Sequence, residues 1–172
     1  MASDLVLVIG AADTGRAPMT AAMLRRRLQE RGYRTPVESA GVLGHDGDSA
    51  TAEAIAAIEQ MGLDISDHRA RSLTEDLAAA ARLMIAVDSG TAKVARARFP
   101  DASARIQTLG ELAGRPRDIP DPFKMQIGAW LIYAREVDSL IGAALPRILE
   151  QLGAPAEPAA APPPEPPAAQ PQ

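Results

Sequence analysis

The 172-residue sequence contains no cysteine. Disulfides, thiolate metal sites and any thiol nucleophile are therefore excluded. Only two histidines are present, His45 and His68, and they are isolated from one another in the chain, so no zinc site is expected. Aromatic residues make up 3% of the chain, so the core must come mainly from Ala, Leu, Ile and Val; at 47% hydrophobic content these suffice for one domain. No apolar run approaches the roughly 18 to 20 residues that a membrane span needs, and no basic region precedes the short apolar stretch near the N-terminus. A cytoplasmic protein without a membrane partner is expected. Eighteen Lys and Arg face 22 Asp and Glu, and the resulting charge of −4 argues against nucleic acid held by general charge.

What is present is organised around Leu5-Val-Leu-Val-Ile-Gly-Ala-Ala-Asp-Thr-Gly-Arg-Ala-Pro-Met19. Leu5 to Ile9 fit a strand buried on both faces, the run breaks at Gly10, and Ala17-Pro18-Met19 fits a helix with proline in its first turn. A strand-to-helix turn of this kind aims successive backbone N–H groups, here those of Ala11, Ala12, Asp13, Thr14, Gly15, Arg16 and Ala17, at one spot. The helix terminus adds a positive partial charge and Arg16 a bidentate fork. The stretch is a candidate phosphate cradle.

Beyond it, Met19, Ala22, Met23 and Leu28 recur at helical spacing up to a stop at Gly32. Pro36 to Ala40 is β-compatible and Gly41 to Gly47 a loop, with Ser49 the expected N-cap of a helix through Met61. Thr74 opens a helix to about Ala81, Leu83 to Val87 reads as a second buried strand, and Asp88-Ser89 caps a helix that ends before Pro100. Ile106 to Leu109 is the last expected strand, and residues 110–125 are expected as a long loop of the kind that carries function. An amphipathic helix then runs from Met125 to Leu152, with Pro146 a candidate kink. The expected domain is residues 1–153. Residues 154–172 hold eight of the fifteen prolines and no aliphatic residue larger than alanine, and are expected to be a disordered tail.

The spacing around Arg16-Ala17-Pro18-Met19 resembles the phosphate loop of the low-molecular-weight protein tyrosine phosphatases, in which a strand ends in a nucleophilic cysteine, five residues follow, and then Arg-Ser-Pro-Met or similar. On this resemblance the nucleophile falls on Gly10, the second loop cysteine on Gly15, the loop asparagine on Asp13 and the serine after the arginine on Ala17. Asp118-Ile-Pro-Asp-Pro-Phe123 is similar to the family's Asp-Pro-Tyr/Phe loop, which implies Asp121 as the acid that protonates the leaving group. Ser39-Ala40-Gly41, His68 to Thr74 and Val87-Asp88 match less strongly, and the whole covers roughly residues 4 to 152. It implies a doubly wound α/β fold: a four-stranded parallel sheet in the order 2-1-3-4 with helices on both faces.

Chemistry of that type needs a thiolate to attack phosphorus, a cradle with an arginine, and an acid for the leaving group. Losing an attacking group costs on the order of 10⁶ in rate, whereas a general acid contributes about 10² to 10⁴, so Asp121 cannot compensate for Gly10. Asp13 as a nucleophile lacks the second acid two residues on, where Gly15 stands, and Thr14 has no histidine or lysine nearby in sequence to activate it. Asp13-Thr14-Gly15 also spells the aspartic-protease signature, but here it leads into a helix. The expectation is a catalytically inactive relative, a pseudophosphatase, needing no metal or cofactor and binding a phosphate or phosphorylated ligand weakly, or a protein partner, as a regulator. The alternative is a residual or altered phosphomonoester hydrolase that uses Asp121 as general acid without the cysteine; a third reading is a scaffold whose pocket serves no ligand. The resemblance implies a loop asparagine that turns away from the phosphate to brace the loop; an aspartate at position 13 can take the same pose, but its charge lowers the pocket's potential and, about 6 Å from a bound phosphate, costs around 3 kcal/mol at an effective dielectric near 20. Phosphate binding is accordingly expected to be weak, and tighter in Asp13→Asn.

Overall fold

Leu5–Gly10 forms β1, six residues all buried, because the strand lies inside a sheet covered on both faces. The computed structural model describes residues 3–155, so the proline-rich tail expected from residue 154 lies, from residue 156 on, outside the described residues. In chain order there follow α1 (Arg16–Gln29), β2 (Val37–Gly41), α2 (Ala52–Glu59), α3 (Glu75–Ala80), β3 (Ala81–Ala86), α4 (Ser89–Arg98), a 3₁₀ segment Pro100–Arg105, β4 (Ile106–Thr108), α5 (Leu109–Leu112) and α6 (Ile127–Leu152).

The sheet is four-stranded and parallel, in the order β2-β1-β3-β4. Its strands alternate between two cores with the two-residue period of β-structure. Val6 and Val8 of β1 and Leu83 and Ile85 of β3 pack with α1, α2, α5 and α6, while Leu5, Leu7, Ile9, Met84 and Ala86 pack with Ala78 of α3 and Ala92 and Ala95 of α4. The expected α/β architecture and strand order are therefore the observed ones. With β1 central and β3 beside it, the carboxyl ends of both strands open onto one edge, where ligands bind in such sheets.

Three local expectations are corrected. Helix α2 is capped by Thr51, whose side chain accepts from the Ala54 N–H, whereas Ser49 lies in an isolated bridge with Arg69. The span 110–125 is not all loop, because Thr108 and Glu111 close a reciprocal capping box and start α5 at Leu109. Leu109 is thus helical rather than the end of a strand. The closing helix begins at Ile127 and runs without interruption through Pro146. Among the described residues no helix is long and apolar enough to cross a membrane.

Candidate functional site

Between Gly10 and α1 the chain makes a tight loop whose carbonyls are pinned from outside. The Gly10 and Ala11 oxygens accept from Val42 and Leu43 N–H at 3.0 Å each, and that of Thr14 accepts from Thr51 N–H at 2.8 Å. The Asp13 oxygen accepts from His68 Nε2 at 2.6 Å, so His68 braces the loop from beneath as a structural hydrogen-bonder. Asp13 sits at φ +60°, in the left-handed region that Asp and Asn tolerate better than most side chains. Strand β2 approaches so closely that a Cβ on Gly41 would stand 2.5 Å from the Ala11 oxygen.

The donors of the same loop are left over. Among the described residues, no backbone N–H from Ala11 to Ala17 donates to a protein acceptor. They line a cavity of about 260 Å³ with Gly10, Leu43, His45, Thr51, Asp121, Phe123 and Trp130. The seven residues expected to form the cradle are thus brought together with Gly10 and Asp121.

Asp13 is engaged through its carboxyl by the 68–71 segment. Its side chain is fully buried, with Oδ2 accepting from the Arg71 N–H at 3.0 Å and lying 3.5 Å from His68 Nε2. Oδ1 has no partner. Burial pushes the carboxyl above its usual range, against the opposing pull of Ser39, the Arg71 N–H, His68 and the Arg71 charge. The carboxyl braces the loop against the 68–71 segment, the pose that the resemblance implies for the loop asparagine at this position.

Arg16 is the first residue of α1 and its side chain is 11% exposed, which fixes the guanidinium beside the loop. Its Nη1 lies 2.5 Å from Asp88 Oδ2 and its Nη2 3.1 Å from Asp121 Oδ2. Asp88 also caps α4 by accepting from Thr91 N–H at 2.6 Å. Burial pushes the Asp88 carboxyl up, but the hydrogen bonds from Thr91 and Arg16 and the Arg16 charge outweigh it and leave it lowered. Asp118 is not in the cavity lining: it accepts from the N–H and hydroxyl of Ser89, tying the loop to the start of α4. Asp121 Oδ1 accepts from Phe123 N–H at 3.0 Å, an Asx turn that fixes the carboxylate. Among the described residues no three His, Asp or Glu side chains gather to hold a metal ion.

A cradle of free amides, an arginine at its rim and an aspartate facing that arginine are the parts of a phosphoryl-transfer site. The sequence matches the family model of the low molecular weight phosphotyrosine protein phosphatases over residues 5–157. The chain belongs to this family. It is similar to the probable low molecular weight protein-tyrosine-phosphatase EpsP of Ralstonia nicotianae, with 31% identity over 83% of this chain and 94% of that protein. It is also similar to the protein-arginine-phosphatase of Geobacillus stearothermophilus, with 31% identity over 79% of this chain and 90% of that one. The crystal structure of the tyrosine phosphatase Wzb from Escherichia coli K30 in complex with sulphate superposes with a TM-score of 0.73 at 28% identity, over 88% of this chain and 99% of that one.

Two glycines of the loop are closely approached by other side chains. A Cβ on Gly10 would stand 3.0 Å from the Ala17 Cβ, so the floor is closed in around a residue without a side chain. A Cβ on Gly15 would stand 2.8 Å from Trp130 Cη2, because the indole packs over the loop. Trp130 lies on the apolar stripe of α6, and the periodicity of that stripe gives no sign that it also walls the cradle cavity. Leu43, His45 and Thr51 were likewise missed, since the turns that carry them have no motif of their own.

Proposed function

We propose that this chain is a pseudophosphatase, a cytoplasmic regulator that holds a phosphate or phosphorylated ligand without hydrolysing it. The carrying observation is the run of seven backbone N–H groups, Ala11 to Ala17, that find no protein acceptor while the loop's carbonyls are held from outside. An array of this kind at the N-terminus of a 14-residue helix favours an anion. With no cysteine in the chain there is no thiolate to attack phosphorus. The same loss removes a negative charge that, about 4 Å from a phosphate, opposes binding by about 4 kcal/mol at an effective dielectric near 20. Two carboxylates, Asp88 and Asp121, share the one guanidinium of Arg16, which holds the expected affinity to the order of millimolar. Residues 1–153 form the binding domain in this reading, and 154–172 an appended tail.

The test is titration with inorganic phosphate and with phosphotyrosine, followed on the amide signals of residues 11–17. Saturable shifts that disappear in Arg16→Ala are expected. Unmoved amides would leave the fold as a scaffold. A second reading, residual hydrolysis, is favoured by Asp121 lying 3.1 Å from Arg16 at the cradle. Vanadate-sensitive turnover that is lost in Asp121→Asn would establish it.

A further inference from the structure

His68 and Arg71, which brace Asp13 of the cradle loop, also line a second cavity of about 490 Å³. It shares no lining residue with the cradle cavity. Helix α1 supplies Pro18, Ala21 and Arg25, β2 supplies Glu38 and Ser39, and the span 64–71 supplies the remaining wall. The volume falls within the roughly 300–1,000 Å³ that encloses a small-molecule ligand.

The charges around this cavity balance. Its lining holds three guanidiniums, of Arg25, Arg69 and Arg71, and three carboxylates, of Glu38, Asp64 and Asp67. Arg71 and Glu38 pair with each other. Among the described residues Arg25, Arg69, Asp64 and Asp67 form no ion pair. Arg25 and Arg69 each spend a single side-chain donor, on the Val37 oxygen at 2.5 Å and the His68 oxygen at 2.8 Å, and keep the rest of the guanidinium fork. Asp64 Oδ1 accepts from the Ser66 N–H at 2.8 Å. The Ser66 hydroxyl and N–H hold the Asp64 carboxyl below its usual range, so it is charged at neutral pH. A ligand of one charge is repelled by half of this lining, whereas a ligand with both charges, held apart, meets a partner for each. Pro18, Ala21 and the buried Ile65 supply the apolar part of the wall.

We propose that this cavity is a second ligand site, for a small zwitterion with its opposite charges at separate ends, such as a dipeptide with free termini, and that its occupancy acts on the cradle loop. The carboxylate of the ligand takes the unspent N–H groups of Arg25 and Arg69, and its ammonium takes Asp64 and Asp67. A dipeptide spans about 7 Å between its ends, more than the reach of one ion pair. The link to the cradle consists of two hydrogen bonds. His68 Nε2 donates to the Asp13 oxygen at 2.6 Å and the Arg71 N–H donates to Asp13 Oδ2 at 3.0 Å, so a shift of the 68–71 segment reaches a loop residue held at φ +60°. The site stands whether or not the cradle holds phosphate.

The test is titration of the full chain with glycylglycine, followed on the amide signals of residues 64–71 and of Asp13. Saturable shifts in both places are expected. N-acetylglycylglycine keeps only the carboxylate and glycylglycinamide only the ammonium. Each loses one charge-assisted contact and should bind at least about tenfold more weakly. Arg25→Gln and Asp67→Asn, both at exposed positions, should each weaken glycylglycine about tenfold. Arg25 also holds the Val37 oxygen, whereas Asp67 forms no ion pair, so Asp67→Asn carries the test if Arg25→Gln disturbs the fold. Analogues that bind as tightly as glycylglycine, an affinity retained in both variants, or the absence of saturable shifts at 64–71 overturns the zwitterion site. Saturable shifts at 64–71 with an unmoved Asp13 amide overturn its action on the cradle loop.

Discussion

Arg16 and Asp121, which both line the cradle cavity, pair with each other at 3.1 Å. Asp88 holds the other end of the same guanidinium at 2.5 Å. An anion entering the loop therefore competes with two carboxylates for one arginine, and the backbone amides carry a larger share of its recognition than a free arginine would leave them.

Placing a thiol at position 10 tests whether the cradle is competent. The native chain is expected to show no measurable hydrolysis of an aryl phosphate at neutral pH. Gly10→Cys should bring turnover at least about 10²-fold above that background, because a thiol among free amides at a helix N-terminus is acidified. In the Gly10→Cys background, Asp121→Asn should lower the rate by about 10² or more. The new Cβ stands 3.0 Å from the Ala17 Cβ, so the loop must give by a few tenths of an ångström. A well-folded Gly10→Cys protein that is inert toward an aryl phosphate would show that the cradle no longer presents phosphorus to position 10.

The buried carboxyl of Asp13 should make stability pH-dependent. Its folded-state pKa is raised, chiefly by burial, so the native state binds a proton more tightly than the unfolded chain does. Stability from this group is present below its ordinary value of 3.8 and is lost as the pH rises through the higher folded-state value. Asp13→Asn should therefore raise the melting temperature at pH 7 by about 2–4 °C, with the gain shrinking toward acid pH. Melting curves of both proteins between acid and neutral pH would check it. A gain that is constant with pH would mean that the carboxyl stays charged when buried.

Gly15 is held to glycine by a neighbour distant in sequence. Gly15→Ala places a Cβ 2.8 Å from the Trp130 ring and should cost about 1–3 kcal/mol in denaturant unfolding. Trp130→Leu should recover part of that loss in the double variant. Additive losses would place the constraint elsewhere.

Deleting residues 154–172 should leave the melting temperature unchanged within about a degree, since the segment has no aliphatic side chain larger than alanine to bury. A drop of several degrees would show that it packs on the domain.

The strands and most helices could be read from the sequence because their signals are local. Leu5 to Ile9 is a five-residue apolar run, Thr74 and Asp88 are helix caps, and both buried strands are bounded by turn residues or caps. The loop residues 10–17 were legible for the same reason: a strand, a turn and a helix are contiguous in the chain. The total absence of cysteine is a property of composition alone, and it decides against thiolate chemistry whatever the fold. Tertiary structure decided the rest. The direction of the Asp13 carboxyl depends on Arg71 and His68, more than fifty residues away, and the pairing of Arg16 depends on Asp88 and Asp121 arriving from the ends of β3 and of the 110–125 span. Trp130 covers Gly15 because α6 folds back over β1 and α1. Such contacts join residues with no shared periodicity or spacing, so only the packing of the parallel sheet and its two helical layers brings them together.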